Sequence, residues 1–198
     1  MATAYHPLPT TTLAAGAEFH RPPRLLPDTI TLGMPALSAM TDLEQVAAIT
    51  IAADAGARAA GQKMHANDVR LLLVVSPGNE ILGLITATDL LGEKPMLTTQ
   101  HTGGNIEALT VSDLMTPRNQ LEVMQLVDVN QARVGDIIQS LKQRGREHAL
   151  VVDINEQTLV ESVRGIFSST RLGRQLGIKV ETGGKATTFA ELEHTLFA

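Results

Sequence analysis

The sequence has no cysteine and no tryptophan, and only one tyrosine and four phenylalanines among its 198 residues. Without thiols there is no disulfide framework, no thiolate zinc site and no cysteine nucleophile, a usage that fits a cytoplasmic protein. Aromatics at 3% leave no stacking platform for single-stranded nucleic acid, and a net charge of −5 is not the basic footprint of a duplex binder. No apolar run approaches the ~20 residues of a membrane helix. The opening MATAYHPLPTTTLAAG has neither the basic start nor the apolar core of a signal peptide. The six histidines are scattered, with no pair at helical spacing beside a carboxylate, so no metal site is expected. TGGKATT (182–188) resembles a phosphate loop only superficially: Ala186 follows Lys185, and no glycine stands five places before Gly184. No serine, histidine and aspartate grouping suggests a triad, so an enzyme is not expected.

What is present is the composition of a soluble globular protein, 43% hydrophobic and 19% charged, long enough for one ordinary domain or two small ones. Residues 1–37 are rich in proline, threonine and alanine, and HRPPRLLPD (20–28) is too proline-interrupted for a helix, so an extended N-terminal arm is predicted. Beyond it, AAITI (47–51) predicts a strand and DAGARAAGQKMHAND (54–68) a helix capped at Asp54, with Ala57, Ala60, Gly61 and Met64 at helical spacing. LLLVV (71–75) is a buried strand, SPGNE a turn, ILGLIT a second strand and ATDLLG the opening of a helix. The order recurs: LEVMQL is a strand, QARVGDIIQSLKQRG a helix with Val134, Ile137, Ile138 and Leu141 on one face, HALVV and LVESVRGIFS two strands, and STRLGRQLG a final helix. The matching Leu73 and Leu150 lie 77 positions apart and Gly83 and Gly165 lie 82 apart, a longer second hairpin absorbing the difference. Even the lead-ins match, SAMTD before the first unit and SDLMTP before the second. The tail, 178–198, is expected to end in a short amphipathic helix around AELEH, with Phe189, Leu192 and Leu196 or Phe197 as its apolar stripe.

Two copies of strand, helix, strand, strand, helix, carrying LLLVV…GLITATDLL and HALVV…RGIFSSTRL after SAMTD and SDLMTP, resemble a CBS domain pair, the module named after cystathionine beta-synthase, of the stand-alone bacterial type. The resemblance implies an α+β fold in which two β-α-β-β-α repeats, the first at 38–100 and the second, with the linker before it, at 101–177, pack about a pseudo-two-fold axis. It also implies a non-catalytic regulatory or energy-sensing module that binds an adenine nucleotide (AMP, ADP, ATP or S-adenosylmethionine) between the repeats. A flat homodimer and an unidentified protein target follow from the same likeness.

Thr86 and Asp89, where the second strand of the first unit hands over to a helix, match the family's ribose-binding pair. A carboxylate accepts hydrogen bonds from both vicinal ribose hydroxyls, and a threonine hydroxyl both donates and accepts. The competing reading is that Thr88 or Asp89 simply caps the helix. By carry-over, the base would sit against the other repeat at Met115, Thr116, Leu126 and the REHA run, Arg146, Glu147, His148 and Ala149, with Arg70 nearest the phosphate. Leu71 stands where some relatives place a second basic residue. In the second unit Ser168 replaces Thr86 and Arg171 replaces Asp89. A guanidinium has no acceptor for ribose hydroxyls, so a degenerate second site and one working site per chain are expected, the alternative being that Arg171 is an ordinary solvated helix residue.

Overall fold

The computed structural model describes residues 27–155 and 159–182. In chain order the elements are β1 (Thr41–Asp42), β2 (Thr50–Ala52), α1 (Ala57–Ala66), β3 (Leu71–Val75), β4 (Ile81–Thr86), α2 (Ala87–Leu91), α3 (Lys94–Thr102) and α4 (Val111–Leu114). They continue as β5 (Thr116–Pro117), β6 (Val123–Gln125), α5 (Leu126–Val129), α6 (Val134–Gln143), β7 (His148–Ile154), β8 (Glu161–Ser168) and α7 (Ser169–Leu176). The fold is α+β. Among the described residues there are two four-stranded sheets, ordered β2-β3-β4-β5 and β1-β8-β7-β6.

The two units superpose in register as well as in order. Leu73 lies between Thr50 of β2 and Leu84 of β4, and Leu150 lies between Val123 of β6 and Ile166 of β8. Both hairpins slip register at the same place, after Val74 in one and Val151 in the other. LLLVV is a continuous apolar run because both its faces are covered. Leu72 and Val74 point into a core with Met64, Ile85 and Leu114. Leu71 and Leu73 point the other way and meet Leu150, Leu84 and Ile166, so the two sheets share an apolar seam on the pseudo-two-fold axis.

The lead-ins are exchanged between the repeats. SAMTD forms β1, which pairs antiparallel with β8 of the second repeat, and SDLMTP forms β5, which pairs with β4 of the first. The same exchange starts the helices. The Ala57 N–H of α1 donates to the Leu109 carbonyl and the Val134 N–H of α6 to the Met34 carbonyl, so each helix N-terminus is satisfied by a crossing segment. For that reason α1 begins at Ala57 with Gly56 before it and makes no side-chain cap, where the sequence suggested Asp54.

The segment predicted as an extended arm is built into the second repeat from Pro27 onward. Ile30, Ala36, Ala39 and Met40 are buried against Ile137, Leu141 and Phe167, with Leu32 and Met34 packed alongside. The Gln175 side chain donates to the Pro27 carbonyl at 2.7 Å and the Ile30 N–H to the Gln175 carbonyl at 3.1 Å. Ile178 and Val180, assigned from sequence to the tail, pack on the same core. Residues 1–26 and the AELEH stripe, with Phe189, Leu192, Leu196 and Phe197, lie outside the described residues. Among the described residues no helix is long and apolar enough to cross a membrane.

Candidate functional site

β4 ends at Thr86, paired across the ladder with Leu71, and the next residue opens α2. Asp89 therefore sits one turn into a helix with its carboxylate folded back over the strand end. Its Oδ2 accepts the Thr86 N–H at 2.9 Å and the Thr86 hydroxyl at 2.7 Å, and the Asp89 N–H returns a bond to Thr86 Oγ1 at 3.2 Å. This is a capping box, and the capping reading of the sequence holds for Asp89. The other carboxylate oxygen, Oδ1, accepts from Lys94 Nζ at 2.9 Å, and that ammonium also donates to the Met115 carbonyl at 3.3 Å. With the Asp89 side chain 16% exposed and Lys94 39% exposed, the pair stands at the edge of a cleft.

The cleft, about 330 Å³, runs between the repeats. One wall carries Thr86, Thr88 and Asp89; the facing wall is the turn from α6 into β7, Arg144 to Ala149; Leu84, Leu121 and Met124 supply an apolar floor. Thr88 Oγ1 donates to Glu147 Oε2 at 2.9 Å, a bond between residues 59 apart that joins the two walls. Arg144 pairs with Glu122 at 2.9 Å on the opposite rim. Exposed Arg146 also lines the cleft. His148 begins β7 and is largely enclosed: its Nδ1 has no hydrogen-bond partner, and burial holds the imidazole below its ordinary value near 6.5, with Glu147 pulling it up, Arg70 pushing it down and Asp89 pulling it up.

Of the residues singled out in the sequence, Thr86, Asp89, Thr116, Arg146, Glu147, His148 and Ala149 line this one cleft. Met115 does not line it; its carbonyl accepts from Lys94, the ion-pair partner of Asp89. Arg70 is exposed, and its carbonyl accepts the Ala87 N–H that starts α2. Leu126 is placed elsewhere: β6 reaches the first cleft with Val123 and Met124, but Leu126 follows the strand's end, opens α5 and lines a smaller cavity with Met40, Asp42 and Arg164. Sequence reasoning missed Lys94, Thr88 and the Arg144–Glu122 pair. Lys94 left a faint signal, a cation just past the helix break at Gly92; the Thr88–Glu147 bond crosses between repeats and the Arg144–Glu122 pair joins residues 22 apart within the second, and neither leaves one.

In the second repeat Ser168 precedes α7 and pairs with His148, as Thr86 pairs with Leu71. Arg171, at the position of Asp89, is half-buried and its guanidinium donates to Thr41 Oγ1 at 3.3 Å, spanning toward the exchanged strand β1. Burial and then the neighbouring Arg174 lower its basicity. Beside it Arg164 binds the Asp42 carboxylate and, at 2.8 Å, Glu44. Burial alone would raise Asp42, but the Arg164 bond and charge, with the Glu44 N–H, hold it below the ordinary carboxylate value. Among the described residues no three histidine, aspartate or glutamate side chains group as a metal centre would require.

Residues 39–95 match the CBS domain family. No curated protein matches the chain in sequence. Among solved structures, CBSX2 in complex with AMP is similar at 19% identity and a TM-score of 0.50, covering 72% of this chain and 95% of that one. An uncharacterized conserved protein from Pyrococcus horikoshii is similar at 17% identity and a TM-score of 0.52, covering 80% and 99%. At these identities the likeness is one of fold, and it extends over the second repeat, which lies beyond the family match.

Proposed function

We propose, from the match of residues 39–95 to the CBS domain family and the fold shared with solved structures over both repeats, that this chain is a tandem CBS pair whose cleft between the repeats binds an adenine nucleotide (AMP, ADP, ATP or S-adenosylmethionine) and passes its occupancy to a partner protein. One observation carries the reading: a carboxylate and a hydroxyl at a strand end, Asp89 and Thr86, stand over an apolar floor with cations at the rim, all facing one cleft. Its volume, about 330 Å³, is at the lower end for small-molecule sites and suits an adenosine moiety. The similar protein CBSX2 has been solved with AMP bound.

In this reading the ribose hydroxyls take over Asp89 Oδ1, the oxygen now engaged by Lys94, and Oδ2 stays with the capping box. The displaced ammonium, together with Arg146, then serves a phosphate or carboxylate of the ligand. His148 and Ala149 form the wall against the base. Arg171 already reaches Thr41, so the second cleft is the degenerate one and binding is one nucleotide per chain. The module acts by binding and not by catalysis, as an energy sensor in the cytoplasm.

Isothermal titration of the protein and of an Asp89→Ala variant with the four ligands tests this. The expected result is one ligand bound per chain, with affinity falling at least tenfold in the variant. Absence of heat with all four would end the nucleotide reading.

A second reading, a ligand-free dimerisation or interaction scaffold, is favoured by a different fact. Asp89 is satisfied by protein groups alone, and Leu91, Met96 and Ile106 are exposed at 85%, 52% and 53% on the outer side of the first repeat.

A further inference from the structure

The candidate cleft has a wall that belongs to neither repeat. Past α7 the chain turns at Gly177, whose φ of 71° is left-handed, and the Ile178 N–H bonds back to the Gly173 carbonyl at 2.9 Å. It then runs close along α7: a Cβ on Gly173 would stand 2.6 Å from the Ile178 carbonyl oxygen and 3.3 Å from the Val180 nitrogen. Ile178 and Val180 pack on the second repeat's core. The segment arrives at Thr182, which lines the cleft, with its carbonyl near Gly145: a Cβ there would lie 3.4 Å from it. Gly145, at φ 60°, closes α6 and begins the turn that carries Arg146 and Glu147 into the cleft. The strap from Ile178 to Thr182 thus leans on the turn whose Glu147 holds Thr88 of the other repeat.

We propose that this C-terminal strap is a working part of the ligand site: Thr182 completes the wall at Gly145, and occupancy of the cleft and docking of the strap stabilise each other. The proposal rests on the nucleotide reading for its ligand, but its geometry stands without it. Linkage is reciprocal, so a ligand held tighter by the docked strap must in turn hold the strap tighter. The strap, Ile178 to Thr182, is the described segment through which occupancy of the cleft could be read by a partner.

The test is Gly173→Ala in the full chain. The new methyl group forces the strap off α7 while raising helix propensity at that position, so the helix itself is kept. Hydrogen exchange is followed at residues 178–182 and 145–147, and AMP affinity by titration. We expect faster exchange in both segments of the variant, a three- to tenfold weaker AMP affinity, and AMP-induced slowing at 178–182 in the unaltered protein. An unchanged AMP affinity in a variant whose strap exchange has risen would overturn the proposal, as would AMP that binds the unaltered protein without slowing 178–182. If AMP binds neither protein, the nucleotide reading fails on its own. The strap is then judged without ligand: faster exchange at 145–147 in the variant supports the wall, and unchanged exchange there removes it. Should Gly173→Ala leave exchange at 178–182 untouched, a chain ending at Gly177, with its fold checked by circular dichroism, takes its place: weaker AMP affinity and faster exchange at 145–147 than in the full chain support the proposal, and no change in either overturns it.

Discussion

Asp89 and His148 face the same cleft with opposite needs. Both oxygens of the Asp89 carboxylate are met by donors, from Thr86 and Lys94. His148 sits in the second repeat where the first has Leu71, and it carries a buried Nδ1 without a partner at a position that otherwise takes an aliphatic side chain. A buried orphan nitrogen costs about 1–3 kcal/mol. His148→Leu is therefore expected to raise stability by an amount of that order. The variant should also change the pH profile. Burial lowers the folded-state value of His148 below 6.5, so its neutral form belongs to the fold, and stability is complete above that pH. It is lost as pH falls from 6.5 through the folded value, because the unfolded chain binds the proton first. Asp42 and Asp113, the latter lowered by the Thr110 backbone and hydroxyl bonds, weaken the fold only below about pH 3.8. Melting temperatures between pH 5 and 8 should drop on acidification in the unaltered protein and stay flatter in His148→Leu; parallel curves would clear His148 of this role. Thr86 and Asp89 could be found in the sequence because they are three residues apart and their bond is local. The Thr88–Glu147 and Lys94–Met115 contacts join residues 59 and 21 apart, and no local pattern announces them.

The elements that bind the repeats together are among the smallest in the fold. β1 and β5 are two residues each, and both lie against a glycine of the neighbouring hairpin: Gly165 pairs with Asp42, and Gly83 with Pro117. A Cβ on Gly165 would enter the buried Met40 side chain; one on Gly83 would enter the Thr116 backbone carbonyl and come within 3.2 Å of the Met115 sulfur. Methionine can bend away and a backbone carbonyl cannot. Gly83→Ala should thus lose about 1–3 kcal/mol through overpacking, and more than Gly165→Ala, with urea midpoints as the measure. Equal losses would mean that β5 slides as easily as Met40 rotates. The glycines themselves were legible as matching landmarks of a duplicated pattern, and so were the strands and helices built from long apolar runs. The exchange was not, since two-residue strands carry no periodicity and a lead-in reads the same whichever repeat it joins. The built-in part of the arm did leave a trace, an alternation of Ile30, Leu32, Met34 and Ala36, which the surrounding prolines obscured.

Over the whole molecule the two repeats differ most in what covers their outer helices. On the second, the chain covers itself: Ile30, Leu32 and Met34 from one end and Ile178 and Val180 from the other pack on the core behind α6. On the first, α1, α2 and the turn at Ile106–Ala108 surround a groove of about 760 Å³ lined by Met64, Leu90, Leu91, Ile106 and Leu114, and Leu91 stands 85% exposed on it. An apolar patch of this kind on a protein of net charge −5 is a contact surface in waiting. A second copy is the occupant that the resemblance to CBS pairs implies, and burying Leu91, Met96 and Ile106 against their equals would remove the most exposed large apolar side chains of this face from water. Light scattering on a sizing column at micromolar concentration should therefore give twice the chain mass of 21.2 kDa. Leu91→Glu, an exposed position in the single chain, should return the single mass with the circular dichroism spectrum unchanged, because a carboxylate cannot enter an apolar contact without a partner. A monomer from the unaltered protein would leave this face to a different protein. It would also shift weight to the strap, Ile178 to Thr182, as the route by which the cleft is read, since the Gly173→Ala experiment needs no dimer to succeed.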